Sequence, residues 1–231
     1  MIIILNQKSN LTKDEYLKYQ KELLNIKTQH NLILCPSSCY LSYNRPDNIS
    51  LGSQDCSRFE SGAHTGEISA TQLKSLDIKY CLVGHSERRI EKKESIEDIN
   101  MKIKQLLSND IIPVLCIGET QEEKNNNLTK DVIKYNIEQA LINIEEKDQN
   151  KIIVAYEPIW AIGTDKTPLA KELTEIFGYI KEICPNNKLL YGGSVNEQSI
   201  PILNKVKKVD GYLLGRISLE VDKVKKIIEK I

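Results

Sequence analysis

Short apolar runs rich in β-branched residues recur along the chain at Ile2–Leu5, Asn31–Cys35, Ile49–Gly52, Lys79–Val83, Ile111–Ile117, Lys151–Tyr156, Lys188–Leu190 and Val209–Leu214. Most are apolar throughout and do not alternate, the pattern of strands buried on both faces of a parallel sheet. Longer segments between them carry apolar residues at helical spacing. Thr12–Thr28 holds Tyr16, Leu17, Leu23, Leu24 and Ile26; Lys93–Ser108 holds Ile96, Ile99, Ile103, Leu106 and Leu107; Leu128–Ile144 holds Val132, Ile133, Ile137, Leu141 and Ile144. Leu169–Cys184 and Leu219–Ile231 read the same way. Thr12 stands three residues before Glu15, the spacing of a capping box. Pro113 cannot donate to a sheet ladder, so its strand is expected to start close to it. The polar stretch Glu122–Asn127 reads as an exposed loop leading into a helix.

Eight strands in 231 residues give about 29 residues per unit, the size of a β–α repeat. Strict alternation predicts a parallel sheet with right-handed crossovers. A closed barrel and an open doubly wound sheet remain competing outcomes. No Pro- or Ser-rich linker divides the chain, so one domain over residues 1–231 is expected. Either architecture puts chemistry at the carboxyl ends of the strands.

Composition removes several function classes. At 40% hydrophobic and 28% charged residues, the chain can bury a core without disulfides or metals. Its 32 basic and 32 acidic residues cancel, which argues against nucleic acid as a partner. The N-terminus MIIILNQKSN lacks the basic leader and apolar length of a signal peptide, and no apolar stretch approaches the ~20 residues that span a bilayer. No membrane association and a cytoplasmic location with reduced thiols are expected. The six cysteines include no C-x-x-C pair, and Cys35, Cys81 and Cys116 sit in or beside apolar runs, which favours buried thiols over a zinc site.

The strand ends carry the candidate chemistry. Val83-Gly84-His85-Ser86-Glu87-Arg88-Arg89 follows the fourth run and holds His85, one of three histidines. A helix N-terminus there disfavours an imidazolium, and a neutral imidazole can donate to a carbonyl oxygen. A turn-capping structural role fits His85 equally well on this evidence. Glu157 ends the sixth run, where a carboxylate is expensive unless used or paired, and out of water it becomes a stronger base. The segment after it, Pro158-Ile159-Trp160-Ala161-Ile162-Gly163-Thr164, has the make-up of a lid: a stiff Pro–Trp hinge, an apolar tip and a flexible glycine. A salt-bridged glutamate with an ordinary loop is the alternative. Gly192-Gly193-Ser194 and Gly215-Arg216, after the seventh and eighth runs, suit main-chain contacts to an anion. Asn6-Gln7-Lys8 follows the first run and offers a cation near the same mouth.

Taken in order, VGHSERR, CIGET (Cys116–Thr120), YEPIWAIGT and YGGSV resemble the triosephosphate isomerase family, over nearly the whole chain from Asn6 to Leu219. The resemblance implies an α/β fold, a (β/α)8 TIM barrel slightly shortened, and proton transfer between D-glyceraldehyde 3-phosphate and dihydroxyacetone phosphate in glycolysis and gluconeogenesis. The pairing of a glutamate base with a neutral histidine is the textbook pattern of that family. Glu157 is then the base, and His85 polarises the carbonyl and moves protons between the two oxygens. Lys8 and Asn6 stabilise the enediolate, and Gly163, Ser194 and Gly215 contact the phosphate. Glu87 is a buried carboxylate near Lys8, with Ser86 beside it in a supporting place. Pro158–Trp160 and Lys166–Pro168 form the lid hinges. No metal or cofactor is implied. The family's homodimer implies that the Gln54–Glu67 loop enters a partner, Thr65 reaching its Asn6 and Lys8 and Glu67 its Arg88.

Four positions depart from the family pattern. Gln7 stands for an aromatic that packs behind the lysine, and His64 for a phenylalanine of the dimer loop. Asp165 stands for a lid glycine and Arg216 for a small residue of the eighth loop. The chain is also trimmed between its first three strands, so helices there are expected to be short or absent. Asp165 and Arg216 motivate an alternative, a phosphometabolite-binding barrel with impaired turnover. A different aldose–ketose isomerase needs a larger pocket than the short lid and GGS loop suggest.

Overall fold

The structure, a computed structural model, describes residues 1–43, 48–164 and 167–231. Its strands are β1 (Ile2–Asn6), β2 (Asn31–Cys35), β3 (Ser50–Ser53), β4 (Tyr80–Val83), β5 (Ile112–Ile117), β6 (Ile153–Tyr156), β7 (Lys188–Tyr191) and β8 (Gly211–Leu214). All neighbours are parallel, and β8 returns to pair with β1, closing a barrel in sequence order. The open-sheet outcome is thereby excluded, and each of the eight apolar runs supplies one strand. Pro113 is the second residue of β5, where it sits opposite Cys81, so the missing N–H falls at the strand's start.

Helices alternate with the strands: α1 (Lys13–Leu23), α2 (Ala70–Ser75), α3 (Ser86–Glu91), α4 (Ile96–Ser108), α5 (Gln121–Asn125), α6 (Thr129–Ala140), α7 (Glu146–Gln149), α8 (Ala170–Ile183), α9 (Ile200–Leu203) and α10 (Val221–Ile228). Polar residues set their starts. Thr12 with Glu15, Ser69 with Gln72, Ser95 with Asp98 and Thr120 with Glu123 form capping boxes ahead of α1, α2, α4 and α5. Apolar stripes hold them down: α4 buries Ile99, Ile103 and Leu106, and α8 buries Leu173, Ile176, Phe177 and Ile180. Each such side chain contributes about 1.5–3 kcal/mol by leaving water.

Two expectations are corrected. Glu122–Asn127 is not a plain loop, because α5 spans Gln121–Asn125. The capping box started by Thr120 makes this helix without an apolar stripe. Some helices also end earlier than their periodic residues run: α1 stops at Leu23 rather than Thr28, and α6 at Ala140 rather than Ile144, while α4 ends at Ser108 as expected. The expected shortening is met between β2 and β3 but not between β1 and β2, where α1 runs for 11 residues. Among the described residues, a single-turn 3-10 segment (Ser38–Tyr40) is the only helical element between β2 and β3, and its Tyr40 ring stacks on Tyr16 of α1 at 4.9 Å.

The core has two layers. Ile4, Ile33, Cys35, Leu82, Val114, Cys116, Ile153, Ala155, Leu190 and Leu213 fill the barrel interior. Residues one step along, such as Ile3, Leu5, Leu34, Leu115, Tyr156 and Tyr212, face outward and pack with the helices. Side chains alternate along a strand. The inward row therefore continues past the strand ends to Asn6, Gly118, Glu157, Gly192 and Gly215, and this parity builds the mouth. Among the described residues, no helix is long and apolar enough to cross a membrane.

Barrel closure rests on Gly211. A Cβ built there would lie 1.8 Å from the Ile2 carbonyl oxygen, across the seam between β8 and β1. Gly211→Ala is expected to lower stability by about 3 kcal/mol, and the melting temperature by roughly 10 °C. Gly178 in α8 is the control, since its Cβ would meet only Lys208 Nζ, at 3.8 Å. Gly178→Ala should stabilise by about 0.5–1 kcal/mol. Thermal denaturation followed by circular dichroism checks both, and an unshifted Gly211→Ala midpoint contradicts the closure argument.

Candidate active site

The inward row and the loops after it enclose one cavity of about 440 Å³. Asn6, Lys8, His85, Glu157, Gly163, Ser194 and Gly215 all line it, although they come from the first, fourth, sixth, seventh and eighth strand ends.

Glu157 follows β6 and is 4% exposed. Its N–H donates to Ile117 O at 2.7 Å, which holds the backbone against β5. Its Oε1 lies 3.7 Å from His85 Nε2, beyond hydrogen-bond reach, and its Oε2 is buried with no hydrogen-bond partner. Two glycines make the notch it occupies. A Cβ at Gly192 would lie 2.5 Å from Glu157 Cγ, and one at Gly118 would lie 1.9 Å from Glu157 O. The neighbouring Cys116 thiol is pushed well above its ordinary pKa by burial first and by the Glu157 charge second, so it stays protonated.

His85 caps α3. Its Nδ1 accepts the Glu87 N–H at 3.3 Å, so a neutral ring carries its proton on Nε2, the nitrogen that faces Glu157 and the cavity. Lys8 adopts a left-handed turn with φ 53°. A lysine rarely holds this conformation unaided. Asn6 Oδ1 accepts the Lys8 N–H at 3.1 Å, and the Lys8 carbonyl accepts from Ser37 Oγ at 2.9 Å and Gln54 Nε2 at 2.8 Å. The turn aims the ammonium group at the cavity, where it pairs with Glu87 Oε1.

The segment expected to form the lid is anchored mainly outside the cavity. Pro158 opens a 3-10 turn at Ile159–Ala161. Trp160 Nε1 donates to Glu119 Oε1 at 2.7 Å, and the Tyr156 hydroxyl donates to Glu119 Oε2 at 3.0 Å. Burial raises the Glu119 pKa, and the Trp160 and Tyr156 donors oppose that rise. Lys124 Nζ lies 3.6 Å from the Trp160 ring centroid and pairs with Glu172 of α8 at 2.6 Å. Ser194 Oγ donates to Ala161 O at 2.6 Å, tying the GGS loop to the lid.

Some expected residues are placed otherwise. Glu87 does pair with Lys8, but its side chain is 46% exposed in the single chain, not buried. α3 turns that carboxylate outward at the barrel rim. Ser86 is buried at the start of α3 and does not line the cavity. Thr65 is exposed and borders a separate depression with Arg58, Phe59 and His64, so the single chain does not bring it to Lys8. Arg88 pairs within the chain with Asp55 at 2.8 Å and Glu94 at 3.3 Å. Gln7 is buried behind the turn and does not line the cavity. Asp165, and Lys166 of the second hinge, lie outside the described residues. Glu119 and Gln54 were not singled out from the sequence. Glu119 sits just past the end of β5, where the strand-end rule could have flagged it.

The comparisons with known proteins follow this geometry. The sequence signature of triosephosphate isomerase matches residues 1–231. The chain belongs to the triosephosphate isomerase family. It is 40% identical to the triosephosphate isomerase of Mycoplasma mobile over 232 residues, covering 95% of each chain. It is 44% identical to that of Mesomycoplasma hyorhinis over 181 residues, 78% of this chain and 73% of the relative. It is 35% identical to that of Clostridium tetani, over 98% of this chain and 95% of the relative. The chain is thus an isomerase acting on a triose phosphate, and nothing in these comparisons favours the impaired, binding-only alternative.

Because Gly192 abuts Glu157, Gly192→Ala is expected to displace the carboxylate and lower kcat by about tenfold to a hundredfold while the barrel stays folded. A coupled isomerase assay beside a circular dichroism melt checks this. An unchanged kcat means that Glu157 has room to retreat.

Proposed function

We propose that the cavity interconverts D-glyceraldehyde 3-phosphate and dihydroxyacetone phosphate through an enediolate, with Glu157 as the base. The observation that carries this reading is the unpartnered, buried Glu157 Oε2 beside an imidazole whose Nε2 carries the proton when neutral. Glu157 takes a proton from the carbon next to the carbonyl, and the electron pair moves onto the carbonyl oxygen. His85 donates to that oxygen through Nε2, and Lys8, with Asn6 beside it, stabilises the developing negative charge. Glu157 then returns the proton to the neighbouring carbon, while His85 passes a proton between the two oxygens. Main-chain N–H groups at Gly163, Ser194 and Gly215 grip the phosphate, and the lid excludes water. This reaction belongs to glycolysis and gluconeogenesis in the cytoplasm, and residues 1–231 act as one (β/α)8 domain.

The active form is a homodimer docked through the Gln54–Glu67 loop. Thr65 and Glu67 are exposed on that loop, and the Lys8–Glu87 pair is open on one side of the mouth. Thr65 of the partner subunit closes that side, and Glu67 of the partner subunit adds to the carboxylates around Arg88. Phe59 and His64 stack at 3.8 Å and stiffen the loop despite the histidine.

Glu157→Gln is expected to lower kcat at least about a thousandfold and leave phosphate binding in place, and His85→Gln to lower kcat by about a hundredfold or more with a smaller change in KM. Steady-state assays in both directions check this, and retained activity in Glu157→Gln removes the base assignment. Sedimentation of the active enzyme is expected to give a particle of two chains; a fully active monomer removes the dimer.

A further inference from the structure

The cavity rim carries a cation, Arg216, that none of the roles above uses and that, unlike its neighbour Lys223, has no carboxylate partner among the described residues. Arg216 begins the 3-10 turn that follows Gly215, and its side chain is exposed. It lines the cavity and reaches across the mouth toward the lid: a Cβ built at Gly163 would lie 3.8 Å from its Nη2. The guanidinium therefore spans from Gly215 to Gly163, two of the three main-chain segments assigned to the phosphate. At the third segment, the Ser194 hydroxyl already donates to Ala161 O, so its side chain brings no free donor.

The charges around the rim single Arg216 out. Lys8 pairs with Glu87, Lys223 with Glu220 at 2.6 Å, and Glu197 with Lys226 at 3.4 Å and Lys230 at 3.5 Å. Among the described residues, the Arg216 guanidinium takes part in no hydrogen bond or ion pair. It is a fork of donors at the open side of an anion site, with no carboxylate among the described residues to release before it binds.

We propose that Arg216 is a specificity-determining residue that closes on the phosphate of the bound triose, holding two of its oxygens from the solvent side while the main chain holds it from within. A planar guanidinium matches a phosphate with two parallel N–H···O bonds, which neither an ammonium group nor a neutral amide reproduces. By contacting the anion beside Gly163, the same side chain makes the lid tip and the eighth loop share one ligand. The phosphate is thereby gripped by charge as well as by dipoles, and selection for a phosphorylated triose over the free sugar sharpens. This rests on the cavity being the triose phosphate site.

The test uses full-length Arg216→Gln and Arg216→Lys. Inorganic phosphate serves as a competitive inhibitor, and unphosphorylated glyceraldehyde as the comparison substrate. Losing a charge-assisted pair is expected to raise the phosphate inhibition constant of the Gln variant by about tenfold to a hundredfold. The ratio of kcat/KM for glyceraldehyde 3-phosphate to that for glyceraldehyde should fall by a similar factor, the loss residing mainly in KM. The Lys variant should recover part of both. An unchanged or lower inhibition constant in Arg216→Gln overturns the proposal, because the side chain then points to water or obstructs the site. An equal loss on both substrates overturns it too. Phosphate titration by calorimetry reads Arg216 without turnover. A wild-type protein that binds phosphate through Arg216 yet fails to isomerise the triose would therefore strike the proposed function and leave this inference standing.

Discussion

The structure turns on keeping one carboxylate out of water without satisfying it. Glu157 is almost fully buried, and one of its oxygens has no hydrogen-bond partner. A buried ionisable group of this kind works against folding and persists only when its surroundings leave it no escape. Those surroundings are specific. The Glu157 N–H is tied to β5, Gly118 and Gly192 leave clearance that a Cβ would fill, and the facing imidazole stands just beyond hydrogen-bond distance. Had His85 come closer, the pair would satisfy each other and neither would be free for a substrate.

The barrel supplies this constraint through side-chain parity. Ile153, Ala155 and Glu157 share one face, as do Ile4 and Asn6, Cys116 and Gly118, Leu190 and Gly192, Leu213 and Gly215. The lower positions fill the interior with apolar side chains. At the mouth the same row changes to an amide, a carboxylate and glycines, so packing below gives way to an opening above. Stability of the core and access to the site are consequences of a single alternation, changed in residue type at one level. The lid hinge sits on the outward side of that row, where Tyr156 and Trp160 both donate to Glu119 and Lys124 links Trp160 to α8. Its anchors at Glu119 and Lys124 thus lie outside the cavity, and Ser194 is the cavity-lining residue that touches it.

What the sequence revealed follows from how local each determinant is. Strands buried on both faces leave unbroken apolar runs, so all eight were legible, with ends displaced by a residue or two. Helix ends were less so, because periodic residues such as Ile26 continue past the last hydrogen-bonded turn of α1. α5 was hidden because it lacks an apolar stripe, although Thr120 and Glu123 had the capping-box spacing. Closure was not legible in the periodicity and was implied only by the family resemblance, since it depends on β1 meeting β8, a pairing across almost the whole chain that Gly211 makes sterically possible. At the site, residues with reactive groups at strand ends could be found by position. Gln54 and Glu119 escaped because each acts on another residue, bracing the Lys8 turn or holding Trp160, and such roles exist only once distant segments have been folded together. The exposure of Glu87 was misjudged for the same reason: burial belongs to the packing around a residue, and here one side of the mouth is left open in the single chain.

The two ends of the cavity are coupled through water. Lys8 shares its charge with Glu87, and both side chains are partly exposed, so in an open site the field that the ammonium group exerts is strongly screened. In the proposed mechanism a lid closed over the substrate would remove that screening, and the same cation would then act on the developing oxyanion in a medium of much lower dielectric constant. Gly163 lines the cavity and Ser194 is tied to Ala161 O, so in the proposed mechanism a phosphate held at these segments would favour closure while taking no part in the proton transfer. Binding energy from the unreactive end of the substrate would in this way be converted into electrostatic stabilisation at the reactive end. A barrel with all the reactive groups in place and a lid free of the phosphate would have the right residues in too wet a site.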